Sequence, residues 1–132
     1  MNLEKACTAV KAAISESEKL KLKMNIAVVD VGGNLVSFVR MDGAWLGSID
    51  ISIKKAKTAT FFEMPSSELG KLSQPGGPLY CIEHSNGGLI TFPGGIPIHD
   101  ENKVLIGGIG VSGSTVENDF HIADSGRKAI CG

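Results

Sequence analysis

Lys103-Val104-Leu105-Ile106-Gly107-Gly108-Ile109-Gly110-Val111-Ser112-Gly113, followed at once by a helix-like segment from Ser114, decides how the rest of the chain reads. From Val104 to Val111 no polar side chain interrupts the run. That is the pattern of a strand covered on both faces, whereas a half-exposed strand alternates apolar and polar residues. The strand is therefore expected to be central. Its glycines remove side chains where the backbone turns tightly or where something approaches closely, either a ligand or another helix.

Two motif matches overlap this stretch. Gly108 to Gly113 satisfies G-x-G-x-x-G between a strand and a helix, but a dinucleotide site also needs a following strand that carries an acidic residue for the ribose. Only Ala129-Ile130-Cys131-Gly132 follows the last helix, so neither nicotinamide nor flavin is expected. The second match is a near nucleophile elbow around Ser112, which requires glycine at position 114, where this chain has serine. The nearest histidine, His121, shares a stripe with Glu117, Asp124 and Lys128 that reads as a solvated, charged helix face. What survives is a helix N-terminus whose free N–H groups suit a phosphate or carboxylate.

Working back to the start, Leu3, Cys7, Val10, Ile14 and Ser17 recur at helical spacing and predict a first helix from about Leu3 to Lys21. Asn25–Asp30 and Leu35–Arg40 are strand-like runs around Gly32-Gly33-Asn34, a hairpin signature. A loop through Asp42-Gly43 leads to a second helix, about Ile49 to Phe62, with Ser48 placed to cap it. This helix carries two stripes: Ile49, Ile53, Ala56 and Thr60 on one side, and Ile51, Lys55, Thr58 and Phe62 near the other. One stripe suits the sheet; the other suits a subunit partner, a pocket or a snorkelling lysine.

Residues 64–88 read as irregular, with a short helix over Ser66–Leu72 and a turn cluster around Pro75-Gly76-Gly77-Pro78. Leu89–Phe92 and Ile96–His99 read as short strands, and Pro97, which cannot donate to a ladder, favours an edge or a strand start for the second. Ser114 and Glu117 have capping-box spacing for a last helix whose apolar stripe is Val116, Phe120, Ala123 and Ile130. The elements add up to an α+β domain with a mostly antiparallel, five-stranded sheet flanked by helices.

A length of 132 residues predicts one domain, 1–132. A net charge of −1 gives no basic footprint for nucleic acid and no polybasic segment for a membrane. No span-length apolar run or leader-like N-terminus is present, so a cytoplasmic protein is expected. Cys7, Cys81 and Cys131 are an odd set without framework spacing and predict reduced thiols.

Metal chemistry starts from Cys81-Ile82-Glu83-His84, a C-x-x-H half-site that His99 or Cys131 would have to complete for zinc. Covalent haem attachment through C-x-x-C-H is absent. A non-covalent tetrapyrrole needs an apolar slot, an axial ligand and a cation for a propionate, and His84 and His99 are better axial candidates than His121.

Five stretches together resemble one family: Asn25–Gly33, Arg40-Met41-Asp42-Gly43-Ala44, Lys55-Ala56-Lys57-Thr58-Ala59, Gly94-Gly95-Ile96-Pro97-Ile98 and Ile106–Gly113. In this order they resemble the GlcG/HbpS family, also called the haem-degrading domain family. The resemblance implies a profilin-like fold, oligomeric assembly, haem binding in some members, and kinship with the C-terminal domain of PduO-type corrinoid adenosyltransferases. It places Arg40, Asp42, Lys55, Thr58, Gly94, Gly95, Pro97, Ser112 and Gly113 in family motifs and so in the expected ligand site. The expected function is an oligomeric small-ligand-binding accessory protein for haem or a corrinoid. In that reading Lys55 or Arg40 neutralises a ligand acid, and His84 or His99 supplies an axial nitrogen. Two other classes stay open: an enzyme acting on a small hydroxy acid or aldehyde in glycolate, diol or glycerol metabolism, and a purely structural subunit.

Overall fold

The computed structural model describes residues 1–131. Its elements, in chain order, are α1 (Leu3–Lys19), β1 (Asn25–Asp30), β2 (Leu35–Arg40), α2 (Gly47–Phe62), α3 (Ser66–Leu72), a 3-10 turn at Ile82–His84, β3 (Gly95–His99), β4 (Leu105–Ser112) and α4 (Val116–Cys131). The four strands pair antiparallel throughout in the order β2-β1-β4-β3. The opening stretch is thus an interior strand, and β3 with Pro97 is an edge, as expected. Among the described residues no helix is long and apolar enough to cross a membrane.

β1 shows why both faces must be covered. Ile26 and Val28 point into a core built with α1 and α4, while Ala27 and Val29 point to the opposite face, under α2. α2 packs on β4, β1 and β3, and α1 packs on α4 on the other side of the sheet. The glycines of β4 serve this packing. A methyl group on Gly108 would meet the Thr60 hydroxyl and the Ala56 carbonyl, and one on Gly110 would meet the Ser52 carbonyl. The close approach foreseen in the sequence is therefore that of a helix.

Several expectations are corrected. The sheet has four strands, because Leu89–Phe92 is irregular. Its backbone is satisfied by side chains and a loop carbonyl: the Ile90 N–H donates to Thr58 Oγ1, the Leu89 N–H to the Glu83 carbonyl, and Ser66 Oγ donates to the Phe92 carbonyl. In α1 the buried face is Ala6, Ala9, Val10, Ala13 and Ser17, with Leu3 exposed. In α4 the expected Ala123 and Ile130 do pack on the core, but the buried face is Asp119, Ile122, Ala123 and Gly126, and the expected Phe120 is exposed. α2 begins at Gly47, with Leu46 at its cap position and no side-chain cap from Ser48. Its second stripe faces the chain itself, since Lys55 and Thr58 are buried against the irregular segment and the strands beside it.

The β1–β2 hairpin is closed by one carboxylate. Asp30 Oδ1 accepts from the Gly32 and Asn34 amides at 2.9 Å each, and Oδ2 accepts from Asn34 Nδ2 at 3.2 Å. These bonds, the Asn34 amide first among them, hold the Asp30 carboxyl below the usual carboxylate range. A carboxylate depressed in the folded state stabilises above its unfolded value of about 3.9 and loses that contribution as pH falls through the folded value. Asp30→Ala is expected to lower the urea midpoint at neutral pH, with the gap to wild type closing in strong acid. A gap independent of pH would contradict this role.

Candidate functional site

The largest fully buried side chain belongs to Lys55, midway along α2. Its ammonium donates to Asp119 Oδ2 at 2.8 Å and to the Val111 carbonyl at 2.9 Å, and lies 4.9 Å from the centre of the Phe92 ring. Asp119, in the first turn of α4, uses Oδ1 to accept the Ser114 amide at 3.0 Å. One lysine therefore ties α2, the end of β4 and the start of α4 together. Burial pushes the Lys55 pKa down and the Asp119 pKa up, each towards its neutral form, while their mutual bond opposes both shifts.

Around this pair the structure collects most of the expected site residues. The Gly94 carbonyl accepts the Val111 amide at 2.9 Å, and a methyl group at Gly94 would stand 2.6 Å from the Lys55 nitrogen. At φ 129° a glycine is required there in any case. The Gly95 amide donates to Ser66 Oγ at 2.9 Å, and Thr58 Oγ1 accepts the Ile90 amide at 3.1 Å. Pro97 lies opposite Gly108 in the sheet, and buried Ser112 lies opposite Asn25. The expected capping box at Ser114 moves by one residue, since Thr115 Oγ1 accepts the Asn118 amide at 3.2 Å. Lys55 has no exposed surface, so the cation expected to neutralise a ligand acid neutralises Asp119 instead.

Arg40 and Asp42 are not part of this group. Arg40 ends β2 in solvent and, with Met41, Asp42, Ile14 and Glu18, lines a shallow hollow beside α1, on the other side of the sheet from α2. The two histidines also separate. His99 closes β3 half-buried. His84 is exposed at the end of the 3-10 turn, in a loop whose Leu79 and Tyr80 are exposed too. His121 is exposed and bonded to Glu16 at 3.0 Å, and Asp124 pairs with Lys128 at 2.8 Å, so the charged face of α4 is as expected.

The C-x-x-H half-site gains a third donor, and it is neither His99 nor Cys131. The ligand atoms of Cys81, Glu83 and His84 all lie within 4.8 Å of one another. Glu83 Oε2 is buried without a hydrogen-bond partner among the described residues. The sequence did carry this signal, because Glu83 stands inside the half-site, where it passes for an ordinary loop charge.

Residues 1–128 match the family described as haem degrading protein HbpS-like. The chain is 38% identical over 121 residues to the corrinoid adenosyltransferase PduO of Citrobacter freundii, a match covering 91% of this chain and 36% of that protein's length. It is also 38% identical over 122 residues to an uncharacterized 15.0 kDa protein of the dhaT-dhaS intergenic region of Citrobacter freundii, covering 89% of this chain and 85% of that protein. A solved PduOC:haem complex superposes with a TM-score of 0.93 at 34% identity, covering 98% of this chain and 94% of that one. With nearly its whole length matched in sequence and in fold, the chain belongs to the HbpS-like family of haem degrading proteins.

Proposed function

We propose that this protein is a haem-binding accessory protein that holds its ligand on the surface, with His84 as an axial ligand. The observation that supports it most directly is the haem complex of a relative with the same fold. The residues of the 79–88 loop fit such a group. His84 offers an exposed imidazole, Leu79 and Tyr80 offer exposed apolar surface, and Lys54 brings its ammonium within 3.2 Å of a methyl group placed on Gly88. Haem, when bound, would supply a redox-active iron. The protein's part is to orient the ring through the imidazole, cover part of one face and set a cation near a propionate.

Self-assembly belongs to the same reading, with Trp45 and Leu46 two-thirds exposed side by side ahead of α2. The test is a titration with haemin and, in parallel, with cobalamin, because the adenosyltransferase relative matches over this region. A saturable Soret shift with haemin, weakened at least about tenfold in His84→Ala, is the expected result. An unchanged Soret band, or wild type and His84→Ala titrating alike, would remove the proposal; saturable binding of cobalamin alone would replace haem with a corrinoid.

A further inference from the structure

The loop that bears His84 carries a second chemistry, independent of the haem reading. We propose that Cys81, Glu83 and His84 form a binding site for a divalent d-block ion of the zinc type. The three ligand atoms lie within 4.8 Å of one another, and around a tetrahedral zinc ion such atoms stand about 3.3–3.8 Å apart. Closing that gap takes roughly an ångström of side-chain rotation, which the exposed Cys81 and His84 can supply.

Backbone order fixes the starting geometry. The Ile82 amide donates to Leu79, the His84 amide to Cys81, the Ser85 amide to Ile82 and the Leu89 amide to Glu83, at 2.9 to 3.1 Å. The His84 amide bond to Cys81, the residue at the N-cap of the Ile82–His84 turn, closes the chain on itself and keeps Cys81 beside Glu83 and His84. Glu83 adds an independent sign. Its Oε2 is shielded from water and lacks a hydrogen-bond donor among the described residues, an uncompensated arrangement that a bound cation would satisfy.

The donor set selects the metal. Thiolate, imidazole and carboxylate together suit zinc and its spectroscopic substitute cobalt(II), whereas magnesium and calcium want oxygen throughout. A thiolate, a carboxylate and a neutral imidazole also balance a divalent charge. Three protein ligands leave a fourth position for water. Since the ion takes the imidazole that an axial haem ligand would need, the two should compete for His84.

Titrating the reduced, intact chain with Co(II) in the absence of oxygen tests the site. A saturable thiolate-to-cobalt charge-transfer band with intense visible bands, at one ion per chain and displaced by zinc, is expected. Cys81→Ser should remove the charge-transfer band, and Glu83→Gln and His84→Ala should each weaken cobalt binding at least about tenfold. The double variant Cys7→Ser/Cys131→Ser should titrate like wild type. Cys81→Gly is the second probe of the sulfur, because Cys81 sits at φ 71° and ψ 13°, where glycine is at ease; it should melt like wild type and lose the band. No saturable band, a band that survives Cys81→Ser, or Glu83→Gln and His84→Ala binding cobalt as tightly as wild type would each overturn the site. Haemin binding plays no part in these readouts, so failure of one reading leaves the other standing.

Discussion

Lys55→Met is expected to destabilise the fold by about 3–5 kcal/mol, because removing one partner of a buried ion pair leaves the other charge uncompensated. Here the stranded group is Asp119, itself buried, and the Val111 carbonyl also loses its lysine donor. With a urea slope near 2 kcal/mol/M the midpoint should fall by about 1.5–2.5 M. A loss under about 1 kcal/mol would mean that the pair contributes no more than an exposed one.

The same pair predicts a partial rescue. Lys55→Met combined with Asp119→Asn removes both charges but keeps an acceptor for the Ser114 amide, so it should be more stable than Lys55→Met alone. The signs of the pKa shifts agree. Between the lowered folded value of Lys55 and about 10.4, the unfolded chain binds more protons, and stability rises with pH. Between about 3.9 and the raised folded value of Asp119, the folded chain binds more, and stability falls as pH rises. Holding both groups ionised and buried therefore carries a cost at neutral pH, and the double variant should show weaker pH dependence. A double variant no more stable than Lys55→Met would show that the Asp119 charge is not what the single substitution strands.

Partners far apart in sequence explain what could and could not be read from it. β4 was legible as a central strand because an unbroken apolar run has few other solutions, and the β1–β2 hairpin because its turn chemistry is local. Lys55 and Asp119 stand 64 positions apart, and no periodicity links them. Read alone, Lys55 is assigned to a ligand, and Asp119 draws no role at all.

The helix faces went astray for a different reason. α1 and α4 meet through small residues, with Gly126 close enough that a methyl group there would stand 2.9 Å from the Ala9 carbonyl and 3.6 Å from the Ala13 methyl. A hydropathy stripe favours large side chains such as Leu3 and Phe120, which here remain in solvent. Leu89–Phe92 looked like a strand because its side chains suit one, but Thr58, Ser66 and the Glu83 carbonyl had already taken its backbone groups. Of the expected site residues, Gly94-Gly95 and Ser112-Gly113 lie near Lys55, while Arg40 and Asp42 lie across the sheet.

Gly110→Val is expected to cost about 3 kcal/mol or more, at the upper end for overpacking a close-packed interior. The first atom added at Gly110 would stand 2.5 Å from the Ala56 amide nitrogen and would meet the Ser52 carbonyl, both backbone atoms of α2. Side-chain rotation cannot relieve such a contact, so α2 would have to lift from the sheet. Lifting it would draw the Lys55 ammonium away from Asp119 and the Val111 carbonyl, and the two losses should compound. Gly47→Ala, at the first residue of α2 with nothing within 4 Å, should stay within about 0.5 kcal/mol of wild type. Urea midpoints of the two variants, each measured with and without haemin, separate packing from binding. If the β4 glycines serve packing, the midpoint of Gly110→Val lies below that of wild type by the same margin with and without haemin. A Gly110→Val protein as stable as wild type but unable to bind haemin would instead place the ligand against this strand, where α2 packs.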